Sequence, residues 1–328
     1  MTILPRRALG ALSLLAAPAI GASGIARAQA AWPERQIRWV IGFPPAGTAD
    51  ILSRLLAERM SQRLGQPIIV ENRPGAGATL AASLVAQARG DRHLVMVGNV
   101  AHAISPALLP NLTYDAFNDF SHVAIIGALP MVIAVNANFP AQDIQAFLAT
   151  ARAQGNRLAL AYGGNATASH LIGIIFQRAA RIDLTFVPYR GSGPALVDVI
   201  AGTVPAIIET LPAALGHIRA GRLRALAVSS PARSIALPDV PNFAEIGLGE
   251  ATGVNWFNFF LPAGLPPALT ERWAEELRIA IALPEIRQRF LDLGLEGTRV
   301  EPAAATDLVR TELARWREVV RANQVQSD

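Results

Sequence analysis

Ile37-Arg38-Trp39-Val40-Ile41-Gly42-Phe43-Pro44-Pro45-Ala46-Gly47-Thr48-Ala49-Asp50-Ile51-Leu52-Ser53 reads as strand, loop and helix in immediate succession. Ile37 to Phe43 is apolar and β-branched enough for a buried strand. Pro44 to Ala49 is a loop, and Asp50 opens the helix as its N-cap. In that helix Leu52, Leu55, Leu56 and Met60 share one face while Arg54, Glu58 and Arg63 point elsewhere. Gly65 and Pro67 end it. A buried strand that feeds an amphipathic helix is the repeating unit of an α/β protein with mainly parallel sheets.

The same plan continues outward. A second strand, Ile68 to Val70, leads to Glu71-Asn72-Arg73-Pro74-Gly75-Ala76-Gly77, then an alanine-rich helix and the strand Leu94 to Val97. Apolar runs of strand length follow at 123–128, 131–135, 158–161, 184–188, 204–208, 224–228 and 254–260, with helices fitting between most of them. Amphipathic segments at 270–282 and 303–322, the latter with Leu308, Leu313, Trp316 and Val320, read as surface helices closing one domain. The strand 158–161, the loop Tyr162 to Ala168 and the helix after it repeat the plan of residues 37–64, as expected of two similar α/β domains that face each other. Each loop then presents backbone N–H groups at a helix N-terminus, and two facing sets make a cleft for an anion.

Composition removes several kinds of chemistry. The chain has 328 residues, 52% hydrophobic and only 16% charged, enough for one large or two medium domains. All 29 basic residues are arginine and there is no lysine, which excludes Schiff-base, Walker and general-base lysines. There is no cysteine, and the five histidines are scattered without metal-ligand spacing, so neither a metal nor a cofactor is expected. The net charge of +4 includes Arg6, Arg7 and Arg27; from residue 31 onward 26 arginines face 25 acidic residues. Such balance is no footprint for nucleic acid.

The N-terminus reads as an export signal covering residues 1–30. Arg6 and Arg7 precede an apolar stretch from Ala8 to about Ala22, and small residues end in Ala28-Gln29-Ala30, after which cleavage is expected. The apolar run is shorter than the roughly 20 residues a membrane-spanning helix needs and is broken by Pro18. Either the general secretory or the twin-arginine route fits, because Pro5 stands where the latter favours Ser or Thr. No later stretch has the length and apolarity to span a membrane.

Several short motifs recur along the chain in a telling order: Ile41-Gly42-Phe43-Pro44-Pro45, Gly65-Gln66-Pro67, Glu71 to Gly77, Val187-Pro188-Tyr189-Arg190-Gly191-Ser192, His217-Ile218-Arg219-Ala220-Gly221, Leu237-Pro238-Asp239-Val240-Pro241 and Pro262-Ala263-Gly264. Over essentially the whole mature chain the sequence resembles the Bug or TctC-like receptors, the extracytoplasmic solute-binding proteins of tripartite tricarboxylate transporters. The resemblance implies a two-lobed, type II periplasmic-binding-protein fold, a "Venus flytrap", whose chain crosses between lobes near Met131 and near Val254. Lobe 1 would comprise residues 31–131 and 255–328, and lobe 2 residues 132–254. It further implies a monomeric periplasmic receptor, not an enzyme, that closes over a small organic carboxylate and delivers it to membrane permease subunits. A receptor of the same kind that presents its ligand to a membrane sensor kinase is the alternative.

In that family the ligand is held by backbone amides, small polar side chains and waters rather than by an arginine clamp. Carried over, the expected ligand-binding residues are Phe43, Pro45, Ala46, Gly47, Thr48, Ala49 and Asp50 in the first loop, Asn99 and His102 in the third segment, Gly164, Asn165, Ala166, Thr167 and Ser169 in the loop before His170, and Glu209. The sequence departs from the family's pattern at each place. The first loop usually runs Pro-Gly-Gly-x-Thr/Ser-Asp, and here Pro45-Ala46-Gly47-Thr48-Ala49-Asp50 moves the hydroxyl by one position. Gly98-Asn99-Val100-Ala101-His102 replaces a run of small hydroxyls and brings an imidazole, and Glu209 stands where aspartate is usual. Near the cleft His102 would offer a proton or a charge to a carboxylate, and Glu209 would sit away from the carboxylate end, facing a hydroxyl or an amine. Ser192, His170 and Asp198 supply the residue types of a hydrolase triad, but no Gly-x-Ser-x-Gly elbow is present.

Overall fold

The computed structural model describes residue 2 and residues 32–109 and 111–325, so the predicted signal peptide, residue 2 apart, lies outside the described residues. In the first sheet β1 (Ile37–Ile41) is flanked in parallel by β2 (Ile68–Asn72) and β3 (Leu94–Asn99). β9 (Val254–Pro262) runs antiparallel to β3, and β4 (Phe120–Asn136) runs antiparallel to β9. In the second sheet β5 (Ala159–Tyr162) is parallel to β6 (Thr185–Pro188) and β7 (Ala206–Thr210). There β7 and β8 (Leu223–Val228) pair antiparallel with the far half of β4. Half of the pairings are therefore antiparallel, more than the sequence reading expects, because β4, which passes from one sheet to the other, and β9 run against their neighbours.

The largest difference from the sequence reading is β4, one strand of 17 residues where the sequence suggests two. Register shifts near Ala124 and Gly127 bend it. Pro130 looks like a breaker but falls where β4 changes partner, between the pairs Pro130↔Val254 and Met131↔Thr210, so its missing N–H costs no ladder bond. The chain crosses a second time at Gly253 and Val254. Ser229, fully buried, ties the two crossings together: Met131 N–H donates to its Oγ at 2.8 Å, and that hydroxyl donates to the Gly253 carbonyl at 2.6 Å.

Helices cover both faces of each sheet. α1 (Thr48–Leu64), α8 (Pro267–Ala282) and α9 (Pro284–Leu293) bury Leu52, Leu56, Trp273 and Ile286 against Trp39 and Phe259. On one face of the second sheet, α6 (Ser192–Ala201) and α7 (Leu211–Arg219) pack Val199 and Leu215 against Val132 and Ile207. The remaining face of both sheets carries α2 (Thr79–Gln87), α3 (Ala101–Leu108), α4 (Ile144–Gln154), α5 (Ala168–Ala180) and α10 (Pro302–Asn323) over one continuous core that includes Phe147, Phe176, Phe260 and Trp316. Each such fully buried side chain contributes about 1.5–3 kcal/mol.

α10 thus packs along both sheets instead of closing a single domain. Its Glu312, 6% exposed, accepts from the indole N–H groups of Trp256 and Trp316, each at 2.9 Å, and its Asn323 accepts from Arg178 of α5 at 3.1 Å. Among the described residues no helix is long and apolar enough to cross a membrane.

Candidate binding cleft

The carboxyl ends of β1, β3, β5 and β7 face one another across a small chamber lined by Phe43, Pro44, Gly47, Thr48, Asn99, Gly163, Thr167, Ala168, Ser169, Gly191, Ser192, Glu209, Thr210, Asn255 and Phe257. Four helix N-termini meet there. α1 brings Gly47 and Thr48, α5 brings Thr167 to Ser169, α6 brings Gly191 and Ser192, and α7 brings Thr210. α5 is capped by Thr167 Oγ1, which accepts from His170 N–H at 3.4 Å. α1 and α6 have no side-chain cap, so their first N–H groups are left for something else. Each helix end carries the equivalent of about half a positive charge, and among the described residues no arginine or histidine stands in the chamber wall.

The chamber holds about 30 Å3, comparable with the room one or two waters take up. It shares Phe43, Pro44, Gly163, Thr167 and Gly191 with a much larger groove of about 730 Å3, whose other walls include Pro74 to Ala78, Leu109, Asn165, Ala166, Pro188, Tyr189 and Arg190. Two glycines let the facing loops come this close. Gly191 has φ +109, and a β-carbon there would stand 2.7 Å from Pro44 Cδ. Gly77 has φ +62, and a β-carbon there would stand 3.0 Å from the Asn165 carbonyl oxygen. Both values are inside normal contact distance, so side chains at either position would prise the loops apart.

The acidic side chain of the chamber is buried. Glu209 is 5% exposed; its Oε1 accepts from Thr210 N–H at 2.7 Å, while Oε2 has no partner of hydrogen-bonding geometry among the described residues. Burial pushes its carboxyl above the usual range, against the Thr210 N–H and the nearby Ser192 and Thr210 hydroxyls, which favour the charged form. Thr48 Oγ1 and Asn255 Oδ1 are likewise buried without a partner.

The residues expected from the sequence divide into three groups. Phe43, Gly47, Thr48, Asn99, Thr167, Ser169 and Glu209 line the chamber; Gly164, Asn165 and Ala166 line the groove. Pro45, Ala46, Ala49, Asp50 and His102 line neither. Pro45 and Ala46 are exposed, and Ala49 packs in the core. Asp50 is not the N-cap, because α1 begins at Thr48. Its carboxylate braces the loop, accepting from Ala46 N–H, Arg54 Nε and Asn72 Nδ2, each at 3.0 Å. Despite the cost of burying it, these hydrogen bonds hold its pKa below the usual range.

His102 is turned away from the chamber. It lies behind Asn99, with Nε2 at 2.7 Å from the Ala116 carbonyl and its ring against Phe120 and Phe260. Burial pushes its pKa down to about 4, with His122 contributing, so it is neutral at pH 7 and offers no charge to a ligand. The triad residue types are also spent elsewhere: His170 Nδ1 accepts from Ala166 N–H and its ring stacks on Tyr162, while Asp198 accepts from the Tyr189 hydroxyl at 2.7 Å.

The sequence reading does not single out Ala168, Gly191, Ser192, Thr210, Asn255 and Phe257 as binding residues, although all line the chamber. Asn255 did leave a signal. It is a buried polar residue inside an otherwise apolar strand, which calls for a partner.

Comparison with known proteins agrees with this architecture. Residues 52–325 match the tripartite tricarboxylate transporter family receptor, TctC. The BugT protein of Bordetella pertussis strain Tohama I is 32% identical over 306 residues, covering 92% of this chain and 94% of BugT. Among solved structures, MatC of Rhodopseudomonas palustris with bound malate superposes with a TM-score of 0.82 at 31% identity, covering 88% of this chain and all of that one. Rpa4515 of R. palustris with adipate gives 0.86 at 29% identity, with 90% and 99% covered. With the two sheets, the double crossing and these likenesses together, the chain is a two-lobed α/β binding protein that belongs to the TctC receptor family of tripartite tricarboxylate transporters.

Proposed function

We propose that this chain is an exported solute receptor that captures a small organic carboxylate between its lobes and hands it to the permease subunits of a tripartite tricarboxylate transporter. The observation that carries the reading is the convergence of four helix N-termini on one chamber whose wall, among the described residues, has no basic side chain. A hydrogen bond to a charged group contributes roughly 1.5–3 kcal/mol, so a few main-chain donors suffice for micromolar binding, about 8 kcal/mol, after the costs of association and closure. The malate and adipate held by two relatives of the same fold support a carboxylate as the ligand.

Closing over the ligand is the useful event. Only a molecule that touches both lobes favours the closed arrangement over the open one, and the two crossings at Met131 and Val254, joined by Ser229, are the natural hinge. The test is calorimetry and thermal unfolding of the purified mature chain against a panel of mono-, di- and tricarboxylates, together with mass spectrometry of whatever copurifies. One or more acids bind with 1:1 stoichiometry and without turnover, and a ligand at a hundredfold excess over its Kd adds about 2.7 kcal/mol of stability. A panel that leaves the unfolding temperature unchanged overturns the reading. Delivery is tested separately: a strain lacking this chain loses uptake of the identified acid. Export is read from the mature N-terminus, which starts at Ala31.

A further inference from the structure

The chamber has two chemically different sides, and a carboxylate alone complements only one of them. On the donor side are the uncapped main-chain N–H groups of α1 and α6. On the other side two buried acceptor oxygens lack a partner among the described residues, Glu209 Oε2 and Asn255 Oδ1, whereas the unpartnered Thr48 hydroxyl, which can donate to a carboxylate, belongs with the first side. Glu209 and Asn255 are 5% and 4% exposed and, like Thr48, line the chamber. The Asn255 amide is oriented by its neighbours. The Thr210 hydroxyl has its one hydrogen within reach of Met131 Sδ and of Glu209, and its oxygen receives a hydrogen from Asn255 Nδ2 at 2.8 Å, which leaves Oδ1 as an acceptor with nothing to accept. Buried polar atoms are nearly always paired, and an acceptor facing a second acceptor is repelled.

From this geometry we infer that the physiological ligand carries a hydrogen-bond donor, a hydroxyl or an ammonium, on a carbon close to the carboxylate that enters the chamber, and that Glu209 and Asn255 select for it. The inference rests on the reading of the chamber as a carboxylate site and narrows the class of acid to hydroxy or amino acids. The carboxylate takes the helix N-termini, and the neighbouring donor turns toward Asn255 Oδ1 and Glu209 Oε2. A plain dicarboxylate of the same length satisfies the first set and leaves the second set unpaired.

The experiment is calorimetric titration of the full mature chain with matched triplets of equal length, succinate, malate and aspartate, then glutarate, 2-hydroxyglutarate and glutamate. In at least one triplet the hydroxy or the amino acid binds about tenfold or more tighter than the plain acid, as expected where a buried acceptor would otherwise go unpaired. Asn255→Leu, checked for folding by thermal unfolding, reduces that preference to about twofold or less. Glu209→Gln separates the two donors, because it abolishes selection of an ammonium, which needs the negative charge, and spares selection of a hydroxyl. Equal affinity across every triplet overturns the inference while leaving carboxylate binding intact, and so does a preference that survives Asn255→Leu. Failure of all six acids, together with a wider carboxylate panel, overturns the carboxylate reading and this inference with it. The wild-type titrations decide the question even where a variant does not fold.

Discussion

The chamber is walled by Thr48, Asn99, Ser169, Ser192, Glu209, Thr210 and Asn255 and holds about 30 Å3, whereas the groove beside it is walled by Pro74, Ala76, Ala78, Leu109, Ala166 and Pro188 and holds about 730 Å3. They share Phe43, Pro44, Gly163, Thr167 and Gly191. The difference is one of secondary structure as much as composition. Strand ends meet helix starts around the chamber, so main-chain donors and short polar side chains crowd into it; loops and the end of α3 border the groove, so methyl groups and rings dominate. Under the proposed function the chamber takes the charged headgroup, and the groove is left to tolerate whatever the headgroup is attached to.

The largest expected effect lies just behind the chamber. His102 and His122 are both pushed down to about 4, chiefly by burial, against 6.5 for a free imidazole. Between those values the unfolded chain binds protons that the folded chain refuses, so this contribution to stability is complete above pH 6.5 and is lost as the pH falls toward 4. At 1.36 kcal/mol per pH unit, His102 alone costs about 3 kcal/mol on that descent. Urea unfolding at pH 7 and pH 4.5 measures it, and His102→Leu shows a shallower fall than the parent; equal slopes contradict the burial of a neutral imidazole.

The chamber itself is broken by a single carbon. A β-carbon at Gly163 would stand 2.8 Å from Glu209 Oε2, so Gly163→Val drives the carboxyl into the space a ligand needs. Calorimetry then reads a loss of about a hundredfold or more in affinity for every bound acid. Thr48→Val keeps the shape of the side chain and removes one hydroxyl, and affinity falls about tenfold, the value of one hydrogen bond. Leu109→Gln, in the groove, changes the affinity of a four-carbon acid by about twofold or less. If it weakens such an acid as much as Thr48→Val does, the division of labour between chamber and groove is wrong.

Much of this layout was legible in the sequence because it rests on local periodicity. The run Ile37 to Phe43 and the apolar stripe of Leu52, Leu56 and Met60 specify a strand and a helix without reference to the rest of the chain, and β5 with α5 repeats them. Burial that depends on distant partners was not legible. Pro130 falls in the gap between the apolar runs 123–128 and 131–135, and only the change of partner from β9 to β7 explains how β4 runs through it. His102 carries the residue type of a functional imidazole, yet Phe120 and Phe260, remote in sequence, enclose it. Asp50 has the composition of a helix cap, and the Arg54 and Asn72 contacts turn it into a brace. The family resemblance puts Glu209 in the cleft, whereas the burial that raises its carboxyl pKa follows from the packing of both lobes.

The central claim is that main-chain donors at converging helix ends, and not formal cations, hold the carboxylate. It is tested most directly by a crystal structure of the protein with an acid identified in the titrations. The account predicts carboxylate oxygens about 2.7–3.1 Å from the N–H groups at the starts of α1 and α6, with no guanidinium in contact. A carboxylate paired with Arg190 or Arg73 in the groove, with the chamber unused, contradicts it.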